Sequence, residues 1–323
     1  IVASPLSVRA VRVLAIAEDL DRRAGAPAWQ VASGMGWRDP PTQYWAMQQA
    51  VANGEYETAA IRADAFLRTA FRGLQDRIEL VRAAMNSAPF RKQFERRLMQ
   101  APPWRAAFFR VSSAVPDQQL QGVQKVLQDL ADSRRKPAID EATGTLRVLI
   151  ERKRYDQAVT LYRAVSGAGA LNSMTDLAFD KPTEYYMSQK NPFVWSFRDN
   201  KGSVTSVEPS GNRRVLVLGT DGRRHYQPAR KYSTLEAGTY QLGYAMRGPA
   251  ESPSTLGISI HCMGVRQPLA TSSTEPLRSS GFERRQITFA VPQSCQMLAL
   301  AFEATPADRE TQAEFADLTL RPI

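Results

Sequence analysis

Leu235-Glu236-Ala237-Gly238-Thr239-Tyr240-Gln241-Leu242-Gly243-Tyr244-Ala245-Met246 decides the fold of the second half of the chain. Tyr240, Leu242, Tyr244 and Met246 recur at every second position, the period of a strand that buries one face and shows the other to water. The same alternation returns in Phe193, Trp195 and Phe197, in Leu256, Ile258, Ile260 and Cys262, and in Ile287, Phe289 and Val291. Working outward from these, strands are expected over 193–197, 204–207, 214–218, 226–232, 240–246, 256–263, 285–291, 296–302 and 315–320. Turn signals such as Pro209-Ser210-Gly211-Asn212 and Asp221-Gly222 separate them. With no helical period between the strands, they should be antiparallel and form a two-sheet sandwich over residues 191–323.

Residues 1–166 read differently. Ala, Leu, Arg and Gln dominate, and apolar residues fall at helical spacing. Ser7 caps a first helix bearing Val11, Leu14, Ala15 and Ala17, and Ala26-Pro27 opens a second. Trp37-Arg38-Asp39-Pro40 reads as a rigid corner closed by an Arg38–Asp39 ion pair, and Thr42 as the cap of a helix to Ala52. Asn53-Gly54 turns the chain into a helix over 56–70, and four more helices are expected over 72–86, 90–100, 103–114 and 117–132. Trp29, Trp37, Tyr44, Trp45 and Trp104 are read as core more than as a binding surface. Ser166-Gly167-Ala168-Gly169-Ala170 stops the helical half, and 167–190 reads as a linker.

One pattern repeats. Tyr56, Ala59, Ala63 and Phe66 match Tyr155, Ala158, Tyr162 and Val165 in register, each set following a helix and a short turn. This resembles the second helix of a tetratricopeptide repeat, where a small residue lets two helices approach and an aromatic fills the groove beside it. The resemblance spans residues 5–166 and implies a solenoid of helical hairpins that docks a protein partner. The early Trp-Leu-Gly-Tyr string of that family is absent, and Pro102-Pro103 and Pro116 interrupt the chain irregularly. The second half resembles the jelly-roll of carbohydrate-binding modules. The residues that carry the likeness are Leu235 to Tyr244, Phe289-Ala290-Val291-Pro292 and the closing Phe315-Ala316-Asp317-Leu318-Thr319-Leu320. That likeness implies a sandwich with a glycan-binding face. The fold class is therefore multidomain α + β, with an α-helical repeat domain at 1–166, a linker at 167–190 and a β-sandwich at 191–323.

Composition bounds the function. With 323 residues, 43% hydrophobic and 23% charged, the chain is long enough for two folded domains. The net charge of +10 favours polyanionic surroundings, among which an acidic polysaccharide is the expected partner. Its basic clusters, Arg134-Arg135-Lys136, Arg152-Lys153-Arg154, Arg213-Arg214, Arg223-Arg224 and Arg284-Arg285, are short and scattered, and no recognition motif points to nucleic acid. No apolar run reaches the roughly 18 residues of a membrane helix. The chain opens at Ile1 without Met, so membrane attachment is expected only through a leader or anchor preceding it. Cys262 and Cys295 are the only cysteines and are expected to form one disulfide, which points to the periplasm or the extracellular space. With His225 and His261 the only histidines, no zinc spacing exists, and neither a metal nor a cofactor is expected.

Outward positions of the strands supply the candidate ligand face. Gln241, Arg247, Ser259, His261 and Gln286 lie opposite the core positions, joined by Thr288 and, if the strands are adjacent, by Glu303 or Arg198. Planar amide and guanidinium groups suit sugar hydroxyls, which they read through paired hydrogen bonds. Nucleophile elbows, phosphate loops and dinucleotide glycine motifs are absent, and no catalytic residue is assigned. Glu184, Glu303 and Asp317 are the only carboxylates considered for a glycosidase-like pair. The reading is a non-enzymatic exported scaffold, its helices docking a protein and its sandwich engaging glycan in exopolysaccharide or envelope assembly. The alternatives are a structural subunit without sugar binding and a polysaccharide-modifying enzyme.

Overall fold

The computed structural model describes residues 7–21, 25–69, 72–198, 202–248, 255–272, 281–306 and 310–323. The chain divides into two compact units, Ile1–Val148 and Leu149–Ile323. Among the described residues, no helix is long and apolar enough to cross a membrane.

The first unit is helical: α1 (Val8–Leu20), α2 (Ala26–Met35), α3 (Pro40–Ala52), α4 (Tyr56–Arg68), α5 (Leu74–Ala83), α6 (Ala88–Leu98), α7 (Arg105–Phe108) and α8 (Asp117–Ala131), followed by α9 (Ile139–Glu151). Ser7 Oγ accepts the Ala10 N–H at 3.4 Å, as a cap should. At the Trp37–Pro40 corner two expectations change. Asp39, rather than Thr42, caps α3 by accepting the Thr42 N–H at 3.2 Å, because Pro40 and Pro41 occupy the first turn, where a missing N–H costs nothing. Its ion-pair partner is Arg12 of α1, not Arg38, so the corner is clamped from a neighbouring helix. Trp29 stacks on Trp45 with centroids 5.5 Å apart, Trp104 is buried, and Trp37 is half-exposed beneath the Arg62 guanidinium.

The repeated sequence pattern has a structural counterpart at its turns. Glu55 N–H donates to Ala50 O and Arg154 N–H to Leu149 O, each at 2.8 Å, with Gly54 and Lys153 both at positive φ. Ala59 and Ala63 in α4, like Ala158 and Tyr162 in α10 (Tyr155–Ser166), are buried. The interval between these two hairpins does not repeat in that form. The helix expected over 103–114 is only the single turn α7, because Pro102-Pro103 precede it and the buried Arg82 guanidinium takes the carbonyls of Phe108 and Arg110 that a longer helix would use. Arg105 bridges Leu98 O at 2.9 Å and Glu141 at 2.8 Å, holding the same irregular corner.

Among the described residues the second unit holds α10, α11 (Ala170–Thr175), α12 (Thr183–Met187) and ten strands: β1 (Ser196–Phe197), β2 (Ser203–Ser210), β3 (Arg213–Thr220), β4 (Tyr226–Ser233), β5 (Gly238–Arg247), β6 (Leu256–Cys262), β7 (Pro268–Thr271), β8 (Glu283–Val291), β9 (Leu298–Ala304) and β10 (Thr311–Pro322). They form two five-stranded antiparallel sheets, ordered β1-β4-β9-β6-β7 and β2-β3-β10-β5-β8. One core lies between them, with Ile258, Leu300 and Phe302 of the first sheet meeting Leu216, Leu242, Phe289 and Phe315 of the second. β7 escapes the sequence reading because it is a four-residue stretch that opens on a proline and lies at a sheet edge. Cys262 and Cys295 are disulfide-bonded across a separation of 33 residues.

Residues 167–190 are not a free linker. Leu177, Phe179 and Tyr186 belong to the sandwich core, and α12 contacts the edge strands β1 and β2 of both sheets, closing that side. Thr183 Oγ1 accepts the Val207 N–H at 2.8 Å, occupying an exposed edge donor. Trp195 Nε1 donates to Leu177 O at 3.3 Å, and Lys231 Nζ donates to Asp176 O from inside the sandwich. Tyr162 stacks on Phe193 at 4.2 Å, which ties α10 to the same unit.

Burial pushes the Lys231 ammonium down from 10.5 to about 8, against the opposing pull of Asp176. Between pH 8 and 10.5 the unfolded chain keeps a proton on this lysine that the folded chain has released, so its contribution to stability rises with pH across that window. Over the same window the denaturant midpoint of the protein should rise relative to that of Lys231→Met as the wild-type penalty is relieved. Parallel profiles would contradict this account of the buried lysine.

Candidate functional site

β9 is the central strand of its sheet, and Leu298, Leu300, Phe302 and Ala304 take its inward positions. Ala299, Ala301 and Glu303 therefore face outward. Cross-strand register sets their neighbours. Ala299 lies between Tyr232 on β4 and His261 on β6, and Ala301 lies between Arg230 and Ser259. Glu303 faces Gly257, where a side chain would collide with Ser272 Oγ. The outcome is a narrow trough whose alanine floor is itself buried, flanked by Arg230 and the buried Tyr232 on one side and by the buried Ser259 and by His261 on the other. The Arg230 guanidinium sits over the Tyr232 ring at 5.0 Å.

Glu303 ends the trough. Its Oε1 accepts from Ser259 Oγ at 2.6 Å and Gln227 Nε2 at 3.1 Å, and His261 Nε2 lies at 3.3 Å from it. His261 Nε2 is also 3.0 Å from Ser259 Oγ. His225 Nε2 stands 3.7 Å from the other oxygen, Oε2. Both histidines of the chain thus converge on one carboxylate. Gln227 reaches it because β4 is irregular between Tyr226 and Ala229, which breaks strict alternation there. Burial raises the Glu303 pKa, but hydrogen bonds from Ser259, Gln227 and His261 outweigh it and hold the carboxyl below its ordinary 4.5. Among the described residues no group of three histidine, cysteine or acidic side chains is placed to hold a metal ion.

The face drawn from the sequence divides between the two sheets. Ser259 and His261 join Glu303 on β6 and β9, and Ser259, being buried, supports the carboxylate rather than presenting itself to a ligand. Gln241, Arg247, Gln286 and Thr288 stand on β5 and β8 of the opposite sheet, so the five candidates cannot line one groove. Alternation tells inside from outside, but two outward faces exist in a sandwich. Arg247 is engaged by Glu314 at 2.5 Å and by the Phe282 ring, and Gln241 Oε1 accepts from Arg321 Nε at 3.0 Å. Gln286 is exposed opposite Gly243. Arg198 follows β1, its N–H donating to Pro228 O at 2.8 Å, with β4 between it and β9. Glu184 lies on α12 and Asp317 on β10, so neither accompanies Glu303. The sequence reading missed Gln227, Arg230, Tyr232 and the role of His225; the two histidines of a histidine-poor chain were the available signal.

No protein-family signature and no curated protein sequence matches the chain. Among solved structures, one described as "CBM4 structure and function" is 15% identical with a TM-score of 0.34, covering 47% of this chain and 99% of its own. A "Family 16 Carbohydrate Binding Module-2" is 13% identical with a TM-score of 0.29, covering 45% and 99%. The N-terminal cellulose-binding domain of a Cellulomonas fimi β-1,4-glucanase C is 16% identical with a TM-score of 0.25, covering 40% and 94%. The two-sheet topology stands on its own strand pairing, independent of these likenesses.

Ser259→Ala removes the shortest donor to a charged acceptor and should cost roughly 1 to 2 kcal/mol, the low end because Glu303 is partly open to water. A group held below its unfolded pKa stabilises the protein above that unfolded value and loses the contribution as pH falls. The stability difference between the protein and Glu303→Gln, read from thermal unfolding, should therefore shrink as pH drops below 4.5. A difference that does not vary with pH would contradict the assigned ionisation.

Proposed function

We propose that the sandwich unit is a glycan-binding module that lays a saccharide chain along the trough on β9, within a non-enzymatic exported scaffold whose helical unit holds a protein partner. The observation that carries the reading is the Glu303 carboxylate, fixed by Ser259 and Gln227 and flanked by His225 and His261 beside an alanine floor. An ionised carboxylate accepts from sugar hydroxyls, and imidazole and guanidinium groups donate to them. The Cys262–Cys295 disulfide supports a periplasmic or extracellular setting, and the positive charge of the chain supports an acidic polysaccharide of the exopolysaccharide or envelope kind.

A second reading has its own observation. Val13, Ile16 and Leu20 of α1 are exposed, at 56, 41 and 79%, as is Val31 of α2. Apolar side chains grouped on helices favour protein docking, and without sugar binding the chain would be a structural subunit of an assembly.

Binding of the whole chain to immobilised β-glucan, xylan, alginate and pectin tests the first reading. The whole chain is required because Leu177, Phe179 and Tyr186 belong to the sandwich core. At least one polysaccharide should bind, and Glu303→Gln and His261→Ala should each weaken it about tenfold or more, as expected for losing a charge-assisted contact. Absence of binding to all four, or binding indifferent to both substitutions, sinks the glycan reading and leaves the structural one.

A further inference from the structure

The opposite sheet carries a second cluster. In β10, Ala316 pairs with Ala245 and Thr319 with Gly243, so Asp317 and Leu318 together face Tyr244 in a bulge. Asp317 adopts the left-handed backbone at φ +52°, a conformation costly for most side chains and tolerated best by aspartate and asparagine after glycine. Strain of this kind persists where the surrounding structure imposes it, and it clusters at functional positions. Here it aims a carboxylate at Arg213. The pair lines a cavity of about 390 Å³ together with Arg214, Asp180, Phe179 and Leu318, within the rough 300–1,000 Å³ of small-molecule sites.

The charges in this cavity are unequal. Asp317 is paired with Arg213 and Asp180 with Lys181 at 2.8 Å, and the Arg213 guanidinium also rests on the Phe282 ring at 4.2 Å. The hydrogen bond from Lys181 holds the Asp180 carboxyl below the ordinary carboxylate range. Arg214 has no ion-pair partner among the described residues. One guanidinium without an ion-pair partner, two carboxylates already paired with cations and an apolar wall of Phe179 and Leu318 describe a site for an anion that also bears hydroxyls and a carbon face. Inorganic phosphate would leave the apolar wall unused and offers no carbon-borne hydroxyls to the two carboxylates. A neutral sugar would leave Arg214 unmatched.

We propose that this pocket takes the terminal hexuronate ring of an acidic glycan, its carboxylate on Arg214 and its hydroxyls on Asp180 and Asp317. The pocket extends the glycan reading to a second, end-on site on the other sheet, distinct from the trough at Glu303. A planar guanidinium meets a carboxylate in two parallel hydrogen bonds, which a lysine cannot reproduce.

Ligand-observed NMR titration of the whole chain with D-galacturonate, D-galactose and tetragalacturonate tests it. Galacturonate should bind saturably and at least about tenfold more tightly than galactose, the scale of one charge-assisted bidentate contact. Tetragalacturonate should bind at least as tightly as the free acid. Arg214→Gln should lose about tenfold or more, with Arg214→Lys recovering only part, whereas Arg284→Gln, matched in charge and outside the cavity, should change nothing. Thermal unfolding of each variant checks that it is folded. Equal binding of galacturonate and galactose, equal losses in Arg214→Gln and Arg284→Gln, or rejection of the tetramer would overturn the proposal. The trough at Glu303 is scored separately with immobilised polysaccharides, so its failure would leave the galacturonate result standing.

Discussion

Glu303 stands on a strand whose residues from Leu298 to Phe302 are buried on both faces, and a carboxylate there must be hydrogen-bonded to remain charged. That requirement organises the sheet around it. It explains why Ser259, itself buried, is a hydroxyl, and it is met in part by the irregular pairing of β4 that brings Gln227 across. The small Ala299 and Ala301 form the buried floor between larger flanking side chains. A carboxylate secured from below by fixed donors, with histidines at its rim, is organised before any ligand arrives, and pre-organisation of this kind lowers the cost of binding.

The sheet keeps this geometry because the sandwich is closed by a segment outside its strands. Phe179 touches Trp195, Phe197 and Phe302, and Tyr186 stacks on Phe197 at 4.8 Å. Phe302 directly precedes Glu303 and faces the other way, so aromatic packing on the inner face positions the carboxylate on the outer one. Lys231, one residue from both Arg230 and Tyr232, holds the same segment through Asp176 O. The trough and the closing segment therefore share β4 and β9, one on each face, and loosening one should disturb the other.

Much of this was legible in the sequence, and the losses have physical causes. Alternation placed Ile258 and Ile260 inside and Ser259 and His261 outside, because a strand has only two faces. It could not say which strands are neighbours, so residues of two sheets were merged into one face. Gln227 was hidden because irregular pairing cancels the period on which the reading depends. Leu177, Phe179 and Tyr186 were hidden because an irregular segment can fill a core without any period. In the helical half, the matched turns at Gly54 and Lys153 were visible through their spacing, whereas the single turn of α7 depends on Arg82 capturing distant carbonyls, a tertiary effect that local propensity does not carry.

The two histidines of the chain both lie at Glu303, which makes them built-in reporters of the trough. The most direct measurement of the central claim is a proton NMR titration of the imidazole C–H signals of His225 and His261 during addition of the tightest-binding soluble oligosaccharide. The account predicts that both signals shift saturably with one dissociation constant. Saturable glycan binding that leaves both imidazoles unmoved would place the ligand elsewhere and contradict the account.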